Sequence, residues 1–304
     1  MTIELYKRYR PKKFRDVVGQ KEAVMQLEEK LKKNSLQHSI LFSGLSGCGK
    51  TTLARILRIK LECTKEDYVE INAASSRGID TIRDIQQRMG LAPIGGRCRI
   101  WCIDECHRLT GDAQSGLLKI LEDTPKHVYF ILCTTDPQKL LLTIRTRCTK
   151  ISLRPLSQKD LESLIGTVVL AETIPVPGTV IEKIAELADG SAREALVLLD
   201  QVINLPGEQE QLEVLQRTNT QKKSIDIARA LIRGTNWREV SDLIKELEDD
   251  PETVRRVILG YATKVALNSG QPKAFAILNA CRDHWYDCGI AGLVCACKDI
   301  LGDR

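Results

Sequence analysis

Ten residues, SGLSGCGKTT at positions 43–52, constrain this chain more than any others. They read Gly44, four residues, then Gly49, Lys50 and Thr51, which is the G-x-x-x-x-G-K-[ST] pattern of a phosphate-binding loop. The setting suits the mechanism. Ile40, Leu41 and Phe42 before the loop predict a buried strand, and Leu53, Ile56, Leu57 and Lys60 after it predict a helix. Glycines let the backbone close around an anion. The start of the helix adds unpaired N–H groups and the positive end of its dipole. Lys50 is expected to reach the β- and γ-phosphates of ATP, and the Thr51 hydroxyl to hold Mg²⁺. Gly44, Ser46, Gly47, Cys48, Gly49 and Thr52 complete the cradle.

A chain of 304 residues exceeds one typical core and predicts two or three domains. With 43% hydrophobic and 28% charged residues the composition is that of a globular protein. No apolar run approaches the ~18 residues of a membrane span, so no membrane partner is expected. The opening MTIELYKRYRPKKF lacks an apolar signal core. Eleven cysteines without a C-x-x-C pair therefore read as free thiols in a reducing compartment: the cytoplasm, or the nucleoid or nucleus, of a cell, or the host cytoplasm of a virus. The net charge of +5 permits a polyanionic partner without demanding one.

Residues 6–15 carry six cations around Pro11 and read as a solvated arm, or as one packed near a nucleotide or nucleic acid. Further strands are predicted at 68–72, 99–103, 128–133 and 148–153, with helices between them. Alternation of this kind implies a parallel sheet with ligands at the carboxyl ends of its strands. Asp104 and Glu105 stand at such an end. An apolar strand delivering Asp-Glu is the second half of a nucleotide hydrolase site. Asp104 is expected to orient the Mg²⁺ shell, and Glu105 to position and deprotonate the attacking water. His107 reads as a surface residue or a support behind the pair, rather than a base. Ala113, Leu117, Leu118 and Leu121 form the inward face of the helix at 111–122. Cys98, Cys102 and Cys106 fall on or beside one strand and are not expected to converge on a metal.

Seven stretches together resemble a clamp-loader ATPase subunit of the AAA+ superfamily: YKRYRPKKFRDVVGQ, GLSGCGKTT, NAASSRGIDTIRDI, WCIDECHRL, CTTDPQKL, TRC at 146–148 and GSAREAL at 190–196. They are similar to the bacterial gamma/tau subunit and to replication factor C small subunits, and cover about the first 200 residues in the family's order. The bacterial subunit carries a cysteine-rich zinc module after its phosphate loop, where this chain has only Cys63. The resemblance implies an α/β fold: a five-stranded parallel AAA+ sheet flanked by helices at 1–155, a helical lid at 156–210 and a helical collar at 211–304. It implies that the Thr134 strand lies between those of the phosphate loop and Asp104. Thr134 becomes sensor 1, touching the γ-phosphate or the water. Arg147 becomes the arginine finger, reaching a neighbouring subunit's nucleotide, and Arg193 becomes sensor 2 from the lid. A finger guanidinium is worth about 10³–10⁵ in rate in comparable NTPases.

The implied partners are a sliding clamp, primer-template DNA and other loader subunits in a homo- or hetero-pentamer. ATP binding at subunit interfaces would open the clamp and load it, and hydrolysis would release it. Arg77, Arg83 and Lys119 are candidates for DNA phosphate contacts, and residues 89–93 for the tip that touches the clamp. The alternative is a related AAA+ DNA motor or fork-maintenance ATPase that acts without a clamp. In the lid, Ser157 with Asp160 makes a capping-box signature. Beyond about residue 212 only helical periodicity is legible, with no catalytic motif.

Overall fold

The computed structural model describes residues 4–247, 250–286 and 288–302. The chain divides into two compact units, one ending at Asn204 and the other beginning at Leu205.

The first unit opens with α1 (Leu5–Arg8) and α2 (Lys21–Lys32), followed by β1 (Ser39–Ser43), α3 (Lys50–Lys60), β2 (Tyr68–Asn72) and α4 (Ile79–Met89). Next come β3 (Arg99–Asp104), α5 (Gly111–Glu122), β4 (Val128–Thr134), α6 (Leu142–Arg147) and β5 (Thr149–Ser152). All strand pairs are parallel, in the order β2-β3-β4-β1-β5. The strand bearing Thr134 thus lies between the phosphate-loop strand and the Asp104 strand, as the resemblance implies.

Strand periodicity divides the core into two layers, because successive side chains leave opposite faces. Ile40, Phe42, Ile100, Cys102, Ile131 and Cys133 pack on one face with Leu27 of α2 and Leu53, Ile56 and Leu57 of α3. Leu41, Trp101, Ile103, Phe130 and Leu132 pack on the other with Ile82 and Ile85 of α4 and Leu117 and Ile120 of α5. Coverage on both faces explains why these strands read as unbroken apolar runs. Helix α5 corrects the expected inward face: it buries Ala113, Gln114, Leu117, Ile120 and Leu121, while Leu118 is only half-buried. Gln114 goes inward because the backbone satisfies it. Its amide donates to the carbonyls of Leu109 (3.2 Å) and Lys139 (3.3 Å), and its oxygen accepts from the Leu141 N–H (2.9 Å).

The same unit ends in three helices, α7 (Gln158–Glu172), α8 (Gly178–Leu187) and α9 (Ala192–Val202). Both halves of the Ser157–Asp160 capping box form. Gly190, at φ +76°, joins α8 to α9 where a Cβ would lie 2.5 Å from the Cβ of Pro155. Its carbonyl accepts from the Leu156 N–H at 3.0 Å.

The second unit is helical: α10 (Glu208–Arg233), α11 (Trp237–Lys245), α12 (Pro251–Ser269), α13 (Pro272–Ala280) and α14 (Gly289–Leu301). Its core gathers Ile227, Leu231, Val240, Val254, Ile258 and Trp285 with Cys281 and Cys297. A buried ion pair, Glu252 with Arg255, fastens α12 to the turn after α13. Arg255 also donates to the Cys281 carbonyl at 2.8 Å, and Glu252 accepts from the Trp285 N–H at 3.1 Å. All eleven cysteines are free thiols. Among the described residues no helix is long and apolar enough to cross a membrane, and no three His, Cys, Asp or Glu side chains gather as a metal cluster.

Candidate nucleotide site

The phosphate loop leaves the carboxyl end of β1. The Gly44 N–H donates to the Thr134 carbonyl at 3.2 Å, which ties the loop to β4. Gly47 has φ +77°, and a Cβ there would fall 2.1 Å from Ser191 Oγ at the start of α9. Only glycine fits both the dihedral and the space. Gly49, at φ +111°, is the N-cap of α3, so the helix starts at Lys50 and points its free N–H groups into the loop. Lys50 is 6% exposed. Its ammonium donates to the carbonyls of Gly44 (2.7 Å) and Leu45 (2.8 Å). Gln20 braces the loop from below, donating to the carbonyls of Cys48 (3.4 Å) and Arg154 (2.7 Å).

Asp104 ends β3, and its carboxylate accepts from the Glu105 N–H at 3.0 Å. Burial pushes the Asp104 carboxyl above its ordinary value, and the charge of Glu105 adds to the push. The Glu105 N–H and Lys50 oppose it. Glu105 sits at φ +51°, a left-handed conformation that costs a non-glycine residue about 1–3 kcal/mol and recurs at active sites. Thr135 donates to Glu105 Oε2 at 3.3 Å. Thr134 is fully buried at the end of β4, opposite Ser43 of β1.

These ends meet in a cleft. One wall is polar: Ser46 to Thr52 of the loop, Asp104, Glu105 and Arg193. The other is more apolar, apart from Arg10, and mixes the N-terminal arm (Tyr6, Tyr9, Pro11, Val18) with Leu164 of α7 and Leu196 of α9. Of the two readings of the arm, the structure favours packing at the site. Arg8 and Tyr9 bind Glu172 of α7, and the Arg193 guanidinium lies over the Tyr6 ring, 5.7 Å from its centroid.

Sequence reasoning placed the loop, the acid pair and Arg193 together, and the structure does the same. Thr134 stands behind Glu105 rather than on the cleft wall. His107 links the two: its Nδ1 lies 3.1 Å from Thr134 Oγ1 and 3.5 Å from Glu105 Oε2. Arg147 is outside the cleft, paired with Glu122 of α5 and donating to the Thr143 carbonyl at 3.3 Å. Arg77, Arg83 and Lys119 are exposed and also lie away from it, Arg83 paired with Asp80 at 3.0 Å. The apolar wall was missed. Its one signal was the pair of tyrosines in the basic arm.

The residues fit a magnesium-bound nucleoside triphosphate. The glycine cradle, the helix start and the buried ammonium suit phosphate oxygens. Thr51 and Asp104 are oxygen donors of the kind a hard divalent cation takes.

Comparison with known proteins gives the same picture. A family model described as DNA polymerase III, delta subunit, matches residues 64–157, and one described as Rad17 P-loop domain matches residues 3–86. The chain is 34% identical over 266 residues to the DNA polymerase III subunit tau of Bacillus subtilis, covering 81% of this chain and 47% of the relative. It is 36% identical over 220 residues to the tau subunit of Escherichia coli, covering 66% of this chain and 34% of the relative. The chain thus spans about half the length, or less, of these curated relatives. Among solved structures, the Thermotoga maritima RuvB Holliday junction branch migration motor matches with a TM-score of 0.60 at 22% identity, over 74% of this chain and 79% of that one. A point mutant of the same RuvB matches with a TM-score of 0.62 at 19% identity, over 90% of this chain and 91% of that one. At such identities these two establish the fold alone. The sheet order, the loop and the sequence likenesses agree: this chain carries the AAA+ P-loop fold and is related to the tau and gamma/tau subunits of DNA polymerase III.

Proposed function

We propose that the chain is an ATPase subunit of a sliding-clamp loader. ATP is held at the junction between subunits, the loaded assembly opens a ring-shaped clamp and places it on primer-template DNA, and hydrolysis releases both. On this reading residues 1–155 are the ATP-binding domain, 156–210 the lid and 211–304 the collar that holds the subunits together. The observation that carries it is a division of labour among arginines. Arg193 lines the same cleft as the phosphate loop and the acid pair, whereas Arg147 stands outside it on Glu122. A cleft with its own lid cation, and an exposed second cation directed elsewhere, suits a nucleotide completed by the next protomer.

Within the cleft, the loop N–H groups and Lys50 bind the phosphates. Thr51 and Asp104 would hold Mg²⁺, which neutralises charge on the β- and γ-oxygens when bound. Glu105 takes a proton from the attacking water. Arg193 leaves the Tyr6 ring for the phosphates, so the lid responds to what is bound. Arg77, Arg83 and Lys119 contact DNA phosphates without reading sequence. Arg83 and Lys119 lie on α4 and α5, which pack closely enough that a Cβ on Gly116 would lie 2.9 Å from Ile79. Such binding weakens steeply with salt.

The test is ATP turnover by the assembled protein alone, with primed DNA, and with primed DNA plus each of a panel of sliding clamps. Turnover should rise most with DNA and the cognate clamp together. Stimulation by DNA that no clamp changes would favour a DNA motor instead.

A further inference from the structure

We propose that His107 is a positioning residue for the hydrolytic step, its Nδ1–H bridging Glu105 and Thr134. The inference rests on the ATPase reading above and concerns how the water-activating pair is held.

The 3₁₀ turn Cys106–Arg108 follows Glu105 directly, and the left-handed backbone at Glu105 folds it back over the end of β4. His107 lands there with its side chain 9% exposed. It is not on the cleft wall, so it acts through its neighbours rather than on the nucleotide.

The neighbouring carboxylate favours the tautomer with hydrogen on Nδ1. The Glu105 carboxylate can only accept, so Nδ1 at 3.5 Å from Oε2 is favourable only if that nitrogen carries hydrogen. Thr134 Oγ1 lies 3.1 Å from the same nitrogen and already accepts from the Asp136 N–H at 3.0 Å. A hydroxyl oxygen has two lone pairs. With Asp136 and His107 both donating to it, the Thr134 oxygen is fixed in place behind Glu105. Thr135 donates to Glu105 Oε2 and the imidazole edge lies against the same oxygen, which leaves Oε1 to receive the proton of water. One imidazole N–H thereby holds Glu105 and the end of β4 at Thr134 in a single arrangement. His107 itself makes and breaks no covalent bond.

The test compares His107→Ala, His107→Asn and His107→Asp in the full chain, within its assembly, by steady-state turnover and direct ATP binding. His107→Ala should lower kcat by about 10–100-fold, a fraction of what a well-placed base contributes. Its KM and ATP affinity should stay within about 2-fold, as when only a transition-state interaction is lost. Asparagine puts an amide N–H where Nδ1–H stands and should recover most of the rate. Aspartate, an acceptor beside Glu105, should do no better than alanine. A kcat for His107→Ala within about 2-fold of wild type, a change confined to KM, or no rescue by asparagine would each overturn the proposal. Failure of the underlying reading looks different: no turnover by the wild type, or a Glu105→Gln variant as fast as wild type.

Discussion

Lys50 is nearly inaccessible to water, and a buried ammonium is costly unless its donors are satisfied. Two carbonyls of its own loop satisfy it. The charge is thus held where phosphates would enter. Lys50→Ala should remove ATP binding in equilibrium titrations; a variant that still binds tightly would end the phosphate-loop assignment. Glu105→Gln keeps the volume and loses the base. It should bind ATP normally and hydrolyse it at least about 10²-fold more slowly in single-turnover assays. These residues were legible in the sequence because the backbone geometry they need is local: glycines, a strand end and a helix start within ten residues. Tyr6, Gln20 and the link from His107 to Thr134 were not legible. Each meets its partner only after distant segments fold together, and no local pattern records that.

Between β2, α4 and β3, the residues after α4 form a supported tip. Leu91 is 58% exposed and Ile94 76%, on a backbone held from beneath. The Asp67 carboxylate accepts from the N–H groups of Ile94 (2.9 Å) and Gly95 (3.3 Å) and from Arg99 (3.2 Å). Arg99 also donates to the carbonyls of Arg88 (2.9 Å) and Ala92 (3.3 Å). Removing one partner of a buried pair costs about 3–5 kcal/mol, so Asp67→Ala should lower the denaturant midpoint of the first unit and speed amide exchange at Ile94 and Gly95. Unchanged exchange would show that the pair does not hold the tip. Burial works to raise the Asp67 carboxyl, but the Ile94 and Gly95 N–H groups, Thr64 and Arg99 together hold it at about 2, against an ordinary 3.8. Stability from this lowered acid is full above about 3.8 and is lost as pH falls toward about 2. If the tip touches a clamp, Leu91→Ala with Ile94→Ala should abolish clamp binding while turnover without the clamp persists; retained binding in a pull-down would reassign it. The sequence marked the helix and its tip but not their support, because no local pattern pairs Asp67 with Arg99, 32 residues away.

At the scale of the whole molecule, the proposed role of Arg147, which stands outside its own cleft, would make activity a property of the assembly. Arg147→Ala alone and Lys50→Ala alone should each turn over ATP poorly. Mixed, they should regain part of the wild-type rate, since an intact loop then faces an intact finger at some junctions. Loss of the finger costs about 10³–10⁵ in comparable NTPases. Full turnover by Arg147→Ala alone would remove the trans role. The second unit was the least legible part. Helical periodicity is legible there, but it does not give the bounds of α10, a helix of 26 residues whose first half is mostly polar.

The sequence alone determined the sheet unit: which segments are strands, where the phosphate loop sits, and which acids stand at its mouth. It could do so because strand burial, glycine geometry and helix starts are written within a few residues of one another. Only the tertiary structure decided what surrounds the phosphates. It brought the arm's tyrosines against α7 and α9, set His107 between Glu105 and Thr134, and kept Arg147 apart from its own cleft. Those contacts join residues far apart in the chain, and they depend on how whole helices pack rather than on any spacing along it.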